Sequence, residues 1–307
     1  MISLVTLEVG NFFVKRPAIC TIMIYIQNLH NCILILLFLS LLLQSCMCSR
    51  ANYNEKVEHD GAREEAKDDG ITQKWMSISD IGYPLIPDSI PSEIYERICY
   101  SISYNGSTRQ PNWVMWHLLG EHVMKRKDGV WNEYMEDPNI KGDCKATLSD
   151  YNSSGYDRGH MCPGGDCNWT DEGRYETFFL SNICPQNPNL NRGDWKEIEI
   201  ACRYWAQKYR SVYIVCGPIF FKSQEHVRIG PNMIPVPEAF FKVILCFDEL
   251  SPKGIGFICR NTDGNRKKDF YVNSIRQVER ITGYKFFPCL DNAIKEVVYD
   301  MDDINNW

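Results

Sequence analysis

Residues 239–247 (AFFKVILCF) put the strongest limit on what this chain can fold into. They are aromatic, β-branched or otherwise apolar at nearly every step, the pattern of a long buried strand. The turn Ser251-Pro252-Lys253-Gly254 follows, and Gly254 to Cys259 reads as a second strand, so the two form a hairpin. Pro111 to Leu118 (PNWVMWHL), Thr177 to Leu180 (TFFL) and Ser211 to Cys216 (SVYIVC), the last closed by Gly217-Pro218, read as further strands. Helical spacing appears twice. Trp195, Ile198, Cys202, Trp205 and Tyr209 fall at steps of three and four, a single apolar stripe. Asp194 and Glu197 stand near its start and Lys208 and Arg210 near its end, as the helix dipole favours. Ile275, Val278 and Ile281 give a shorter stripe that stops at Gly283. Hairpin-linked strands mixed with helices predict an α+β fold with a mixed, mainly antiparallel sheet.

Composition sets the outer bounds. At 307 residues, 44% hydrophobic and 23% charged, the chain can bury a sizeable core, and disorder over most of its length is excluded. A mean hydropathy of -0.31 excludes a polytopic membrane protein. The net charge of -6 sits in the flanks: residues 1–50 carry +2, 51–70 carry -4 and 291–307 carry -4, so the middle is neutral. A polyanion would therefore be held by a local site and not by a broad positive field.

The first 45 residues read as a lipoprotein-type signal. Ile33 to Leu43 is an apolar run broken only by Ser40, too short to span a bilayer comfortably. It ends Leu43-Gln44-Ser45-Cys46, which resembles a bacterial lipobox and predicts membrane attachment through a lipid on Cys46. The chain is then expected to be exported, as a cell-envelope lipoprotein or as a secreted protein. Residues 46–72 form a polar tether, residues 73–295 the folded domain, and residues 296–307 an acidic tail. The folded part holds ten cysteines, an even number that permits disulfides in an exported chain, with Cys162 and Cys167 one candidate pair.

Three groups in the middle carry chemistry. Asp157-Arg158-Gly159-His160 is the first, Leu190 to Trp195 (LNRGDW) the second and Glu199 the third. Asn191 stands just before the striped helix, where it suits an N-cap, and Glu199 follows eight residues later. On a regular helix those eight residues turn through about 80° net, so both would face one side. A histidine takes a proton from water near neutral pH. An amide oxygen is a hard ligand suited to Mg²⁺, and a nearby carboxylate can hold the waters around the ion. An arginine forks onto phosphate oxygens. Together these make a kit for attack on a phosphodiester.

With these residues in place, the chain resembles the DNA/RNA non-specific endonucleases, the Serratia-type secreted nucleases of the ββα-metal (His-Me finger) superfamily. Asp157 to His160 match the D-R-G-H signature, and Asn191 follows His160 at 31 residues, at the start of the metal helix. Phe179 to Gln186, Gly217-Pro218, Val236-Pro237 with Ala239 to Lys242, and Val278-Glu279 with Thr282-Gly283 resemble further family blocks. The resemblance implies His160 as general base, Asn191 as the Mg²⁺ ligand (Mn²⁺ in its place) and Glu199 as the residue that orients water on the metal. Arg158 would hold the phosphate, Asp157 would support the turn, and Arg126 is the nearest upstream arginine for substrate binding. It implies DNA and RNA as substrates, cut to leave 5′-phosphates, with no protein partner evident. Two other readings stand beside it: a catalytically inactive envelope lipoprotein that binds nucleic acid through the nuclease fold, and a phosphodiesterase for small nucleotides.

Overall fold

Hydrogen bonding between Ala239–Cys246 and Lys253–Arg260 runs antiparallel from the Lys253–Cys246 pair to the Arg260–Ala239 pair, which is the expected hairpin. The computed structural model describes residues 76–125, 131–221, 225–247, 251–262 and 264–307. The chain divides into two units, Met1–Thr72 and Gln73–Trp307, and every described residue belongs to the second. The expected signal, the lipid site at Cys46 and the tether lie outside the described residues.

In chain order the described strands are β1 (Glu93–Glu96), β2 (Ser101–Asn105), β3 (Gln110–Leu119), β4 (Asp157–His160), β5 (Ile183–Gln186) and β6 (Ser211–Ile219). They continue with β7 (Arg228–Ile229), β8 (Ile234–Pro235), β9 (Ala239–Cys246), β10 (Lys253–Arg260) and β11 (Val272–Asn273). Seven of them form one sheet in the order β1-β2-β3-β6-β9-β10-β11, each neighbour antiparallel to the next. The fold is α+β with a mainly antiparallel sheet. Strands β6 and β9 are buried along their whole length because both sheet faces are covered. Alternation then sorts their side chains into two cores. Val114, Trp116, Ile214, Phe240 and Ile244 pack with Ile198, Cys202 and Trp205 of the long helix Lys196–Lys208. Trp113, Met115, Val215, Phe241 and Val243 pack on the opposite face with Ile275 and Val278 of the helix Ile275–Thr282. Gly283 ends that helix at φ 74°, a left-handed turn that suits glycine.

Three expectations change. Thr177–Leu180 is not a strand: Thr177 ends the helix Asp171–Glu176, and Leu180 opens a 3₁₀ turn. Its apolar run reflects burial alone, since all four residues are buried. Pro218 does not close β6, which runs on to Ile219. Pairing with β3 ends at the Val114–Cys216 pair, so the missing Pro218 N–H breaks no bond on that side. The acidic tail expected over residues 296–307 packs against the body: Val298 and Trp307 are buried, and the Trp307 ring lies 4.8 Å from that of Trp205.

Candidate active site

Strands β4 and β5 form a separate two-stranded ladder, with Asp157 opposite Gln186 and His160 opposite Ile183. Gly159 is needed for their closeness, because a Cβ there would sit 2.2 Å from Gln186 Oε1. After β5 the chain turns through Asn187, whose side chain accepts from the Asn189 and Leu190 amides and so caps the helical segment that follows. The β4, β5 and helix sequence is a ββα unit. Asn187 takes the N-cap place expected of Asn191. Asn191 instead opens the segment Asn191–Trp195, which is kinked at Gly193 (φ -108°, ψ -105°), before the long helix begins at Lys196. The kink breaks the regular helical phase that would put Asn191 and Glu199 on one side. Asp194 has a different role from the dipole partner expected: it is buried and accepts from the Tyr271 hydroxyl and the Arg266 amide.

Asp157 organises the first half of the site. Its Oδ2 accepts from Asn191 Nδ2 at 2.9 Å, and Arg192 forks onto both oxygens at 2.8 and 2.6 Å. Partial burial pushes the Asp157 carboxyl up, but the bonds from Arg192 and Asn191 outweigh it and hold it below its ordinary range. Asp157 is therefore a fixed anion that spends itself on orienting Asn191. With its Nδ2 donated, Asn191 keeps the amide oxygen as an acceptor, the hard neutral ligand that suits Mg²⁺.

His160, on the same strand, stands between the rings of Tyr134 at 5.3 Å and Phe178 at 4.8 Å. Its Nε2 is buried and has no hydrogen-bond partner among the described residues. Burial first, then the Arg174 charge, pushes its pKa down to about 3. The ring is therefore neutral across the working range and can accept a proton. Arg174 lies over Phe178 and is tied to Asn168 and to the Trp131 carbonyl. Arg158 lies over the Tyr134 and Tyr151 rings, donates to Asn152 at 3.1 Å, and has an Nε without a partner. Arg126 lies outside the described residues.

Glu199 belongs to a second cluster. Its main electrostatic neighbours are Lys242, Asp166, Arg203 and Lys196. Lys242, in the middle of β9, is fully buried with its Nζ 4.2 Å from the centre of the Trp195 ring. Asp166 accepts from Arg203 at 2.8 Å and from Trp116 Nε1 at 3.1 Å. Burial raises the Glu199 carboxyl to about 7, while Lys242 pulls against it. Two cations thus face two carboxyls under the helix. Sequence reasoning missed Arg174, Asp166 and Arg203, and named Arg192 and Lys242 only within longer blocks without a role. The one visible signal was a lone lysine inside an apolar strand.

A model of the family described as DNA/RNA non-specific endonuclease matches residues 84–293. The chain belongs to this family. Among curated relatives, Nuclease EXOG, mitochondrial, of Xenopus laevis is 33% identical over 227 residues, 70% of this chain and 62% of that protein. Nuclease 1, mitochondrial, of Schizosaccharomyces pombe is 35% identical over 202 residues, 60% of this chain and 62% of that protein. The chain thus spans 62% of the length of each of these two relatives. A crystal structure of an EndoG/EndoGI complex, titled for the mechanism of EndoG inhibition, superposes with a TM-score of 0.64 at 28% identity. It covers 70% of this chain and 91% of that one. Relatives named mitochondrial nucleases overturn the expectation of an exported envelope lipoprotein or secreted protein. The expected disulfide is corrected as well: Cys162 and Cys167 are thiols whose Sγ atoms lie 3.7 Å apart, well beyond a bond.

Proposed function

We propose that residues 73–295 form a metal-dependent, sugar-non-specific endonuclease that hydrolyses phosphodiester bonds in DNA and RNA and leaves 5′-phosphates. The observation that carries this is the grip of Asp157 on Asn191 beside a neutral His160 on the same short strand. Asn191 Oδ1 would hold Mg²⁺ or Mn²⁺, which supplies positive charge to neutralise the scissile phosphate and the leaving oxygen. His160 Nε2 takes a proton from the attacking water as its oxygen closes on phosphorus. The bond from phosphorus to the 3′ oxygen breaks, and that oxygen gains a proton from solvent. Burial and the Arg174 charge disfavour the imidazolium, so His160 releases its proton and resets. Arg158, with Nε to spare, binds a phosphate oxygen, and Glu199 would hold water near such an ion. Contacts to phosphate leave sugar and base largely unread, which accounts for action on both polymers.

Circular DNA and single-stranded RNA, each incubated with the full chain, test this reading. Degradation of both with Mg²⁺, absent with EDTA and reduced about 10²- to 10⁴-fold in His160→Ala, is the expected result. Intact polymers from a folded protein across Mg²⁺ and Mn²⁺ would overturn it.

A further inference from the structure

Cys162 stands two residues beyond His160, and its Sγ packs 3.7 Å from that of Cys167 across the short turn Gly164–Asp166. Both are fully buried. A third thiol, Cys99, is within hydrogen-bonding reach of Cys167. Cys99 is only partly buried and borders a cavity of about 270 Å³ together with Trp116, His122, Asp166 and Trp169. Buried single cysteines serve well as small hydrophobes, but here three thiols are linked in series through Cys167, and one of them borders solvent space, the arrangement a redox chain needs.

We propose that Cys99, Cys162 and Cys167 form a peroxide-responsive relay that closes a reversible Cys162–Cys167 disulfide beside the active site. The Cys99 thiolate attacks the O–O bond of a hydroperoxide such as H₂O₂, takes one oxygen as a sulfenic acid and releases hydroxide. Cys167 displaces that oxygen as water and forms a Cys99–Cys167 disulfide. Cys162 then attacks the Cys167 sulfur and releases Cys99 as a thiol. In sum, two thiols lose two electrons and two protons, and one H₂O₂ becomes two waters. Burial pushes the Cys162 thiol up to about 11 and the Cys167 thiol well above its ordinary value, and only Cys99 of the three is partly exposed, so Cys99 is the entry point.

The turn is coupled to both halves of the site. Asn182 accepts from the Cys162 amide at 2.9 Å and donates to its carbonyl at 2.8 Å, so Cys162 cannot shift without disturbing the ladder. Asp166, next to Cys167, anchors Arg203 in the Glu199 cluster. Closing the gap from 3.7 Å to a bond of about 2.05 Å draws the turn inward and displaces His160 and Asp166. Misplacement of catalytic groups on the ångström scale lowers activity by roughly tenfold to 100-fold. This last effect rests on the nuclease reading; the bridge itself does not.

The test treats the full chain with H₂O₂, alkylates remaining thiols under denaturing conditions and maps them by mass spectrometry. The exposed Cys144 and Cys289 serve as internal references for oxidant dose. The expected product has lost two hydrogens, with Cys162 and Cys167 protected from alkylation until a thiol reductant is added. Cys99→Ser, at a partly exposed position, slows bridge formation about tenfold while leaving untreated activity unchanged. Cleavage of DNA falls on oxidation and returns on reduction. Cys162 and Cys167 still fully alkylated at doses that modify Cys144 would overturn the relay. So would a bridge that forms equally fast in Cys99→Ser, or one that leaves a measurable nuclease activity unmoved. A bridge in a protein with no nuclease activity under any condition supports the thiol chemistry and counts against the proposed function instead.

Discussion

At the residue scale, two titratable groups with buried nitrogens, His160 and Lys242, set the behaviour of the site with pH. His160 titrates near 3 when folded and at its ordinary value when unfolded. Between those values the unfolded chain binds the extra proton, so stability is lost as pH falls below about 6.5. His160→Asn should therefore show a shallower loss of melting temperature between pH 6.5 and 4 than the parent; equal slopes would refute the buried neutral ring. Lys242 is the counterpart inside the Glu199 cluster. Removing one partner of a buried charge group costs about 3–5 kcal/mol, so Lys242→Met should be destabilised on that scale. In this variant the Glu199 carboxyl rises further and takes a proton more readily, which relieves the charge at low pH. The loss should be larger at pH 8.5 than at pH 6, as paired denaturant titrations can show. A loss independent of pH would mean that packing on Trp195 alone explains the lysine.

At the element scale, the ββα unit explains why so much of the site was legible. Asp157, His160 and Asn191 fall within one strand, one return strand and one turn, so short-range spacing could reveal them. Glu199 was legible as a residue but not in its setting. Its partners come from β9 and from the turn before Cys167, and only the sheet order brings them under the helix. The kink at Gly193 was hidden for another reason: the apolar stripe starts only at Trp195, so its period says nothing of the backbone before it. The strand misread at Thr177–Leu180 shows the same limit, since a short apolar run reports burial before it reports conformation. The orienting role of Asp157 is open to measurement. Asp157→Ala frees both Asn191 and Arg192, and the apparent affinity for Mg²⁺ should weaken about 10- to 100-fold with the fold intact. An unchanged metal requirement would remove Asp157 from the site.

At the scale of the whole molecule, the two cores and the Trp307 contact decide how the body holds together. Trp307 is 7% exposed, packs at a tilt against Trp205 and edge-on to Tyr209, and accepts from Lys208 Nζ through its carbonyl. Trp307→Ala should cost about 3 kcal/mol in denaturant unfolding, far more than loss of a surface residue. A change under about 0.5 kcal/mol would show that the contact is dispensable. Neutrality over residues 71–290 has its own effect: substrate capture should depend on the few cations near the site and lose little to long-range screening. The double-sided burial of β6 and β9 also sets a clock on the backbone hydrogens. Their amides can trade with solvent deuterium only when the whole sheet comes apart, so their exchange reports global unfolding. The β4–β5 ladder has a single pair of strands and should exchange sooner, through local openings that leave the central amides still labelled.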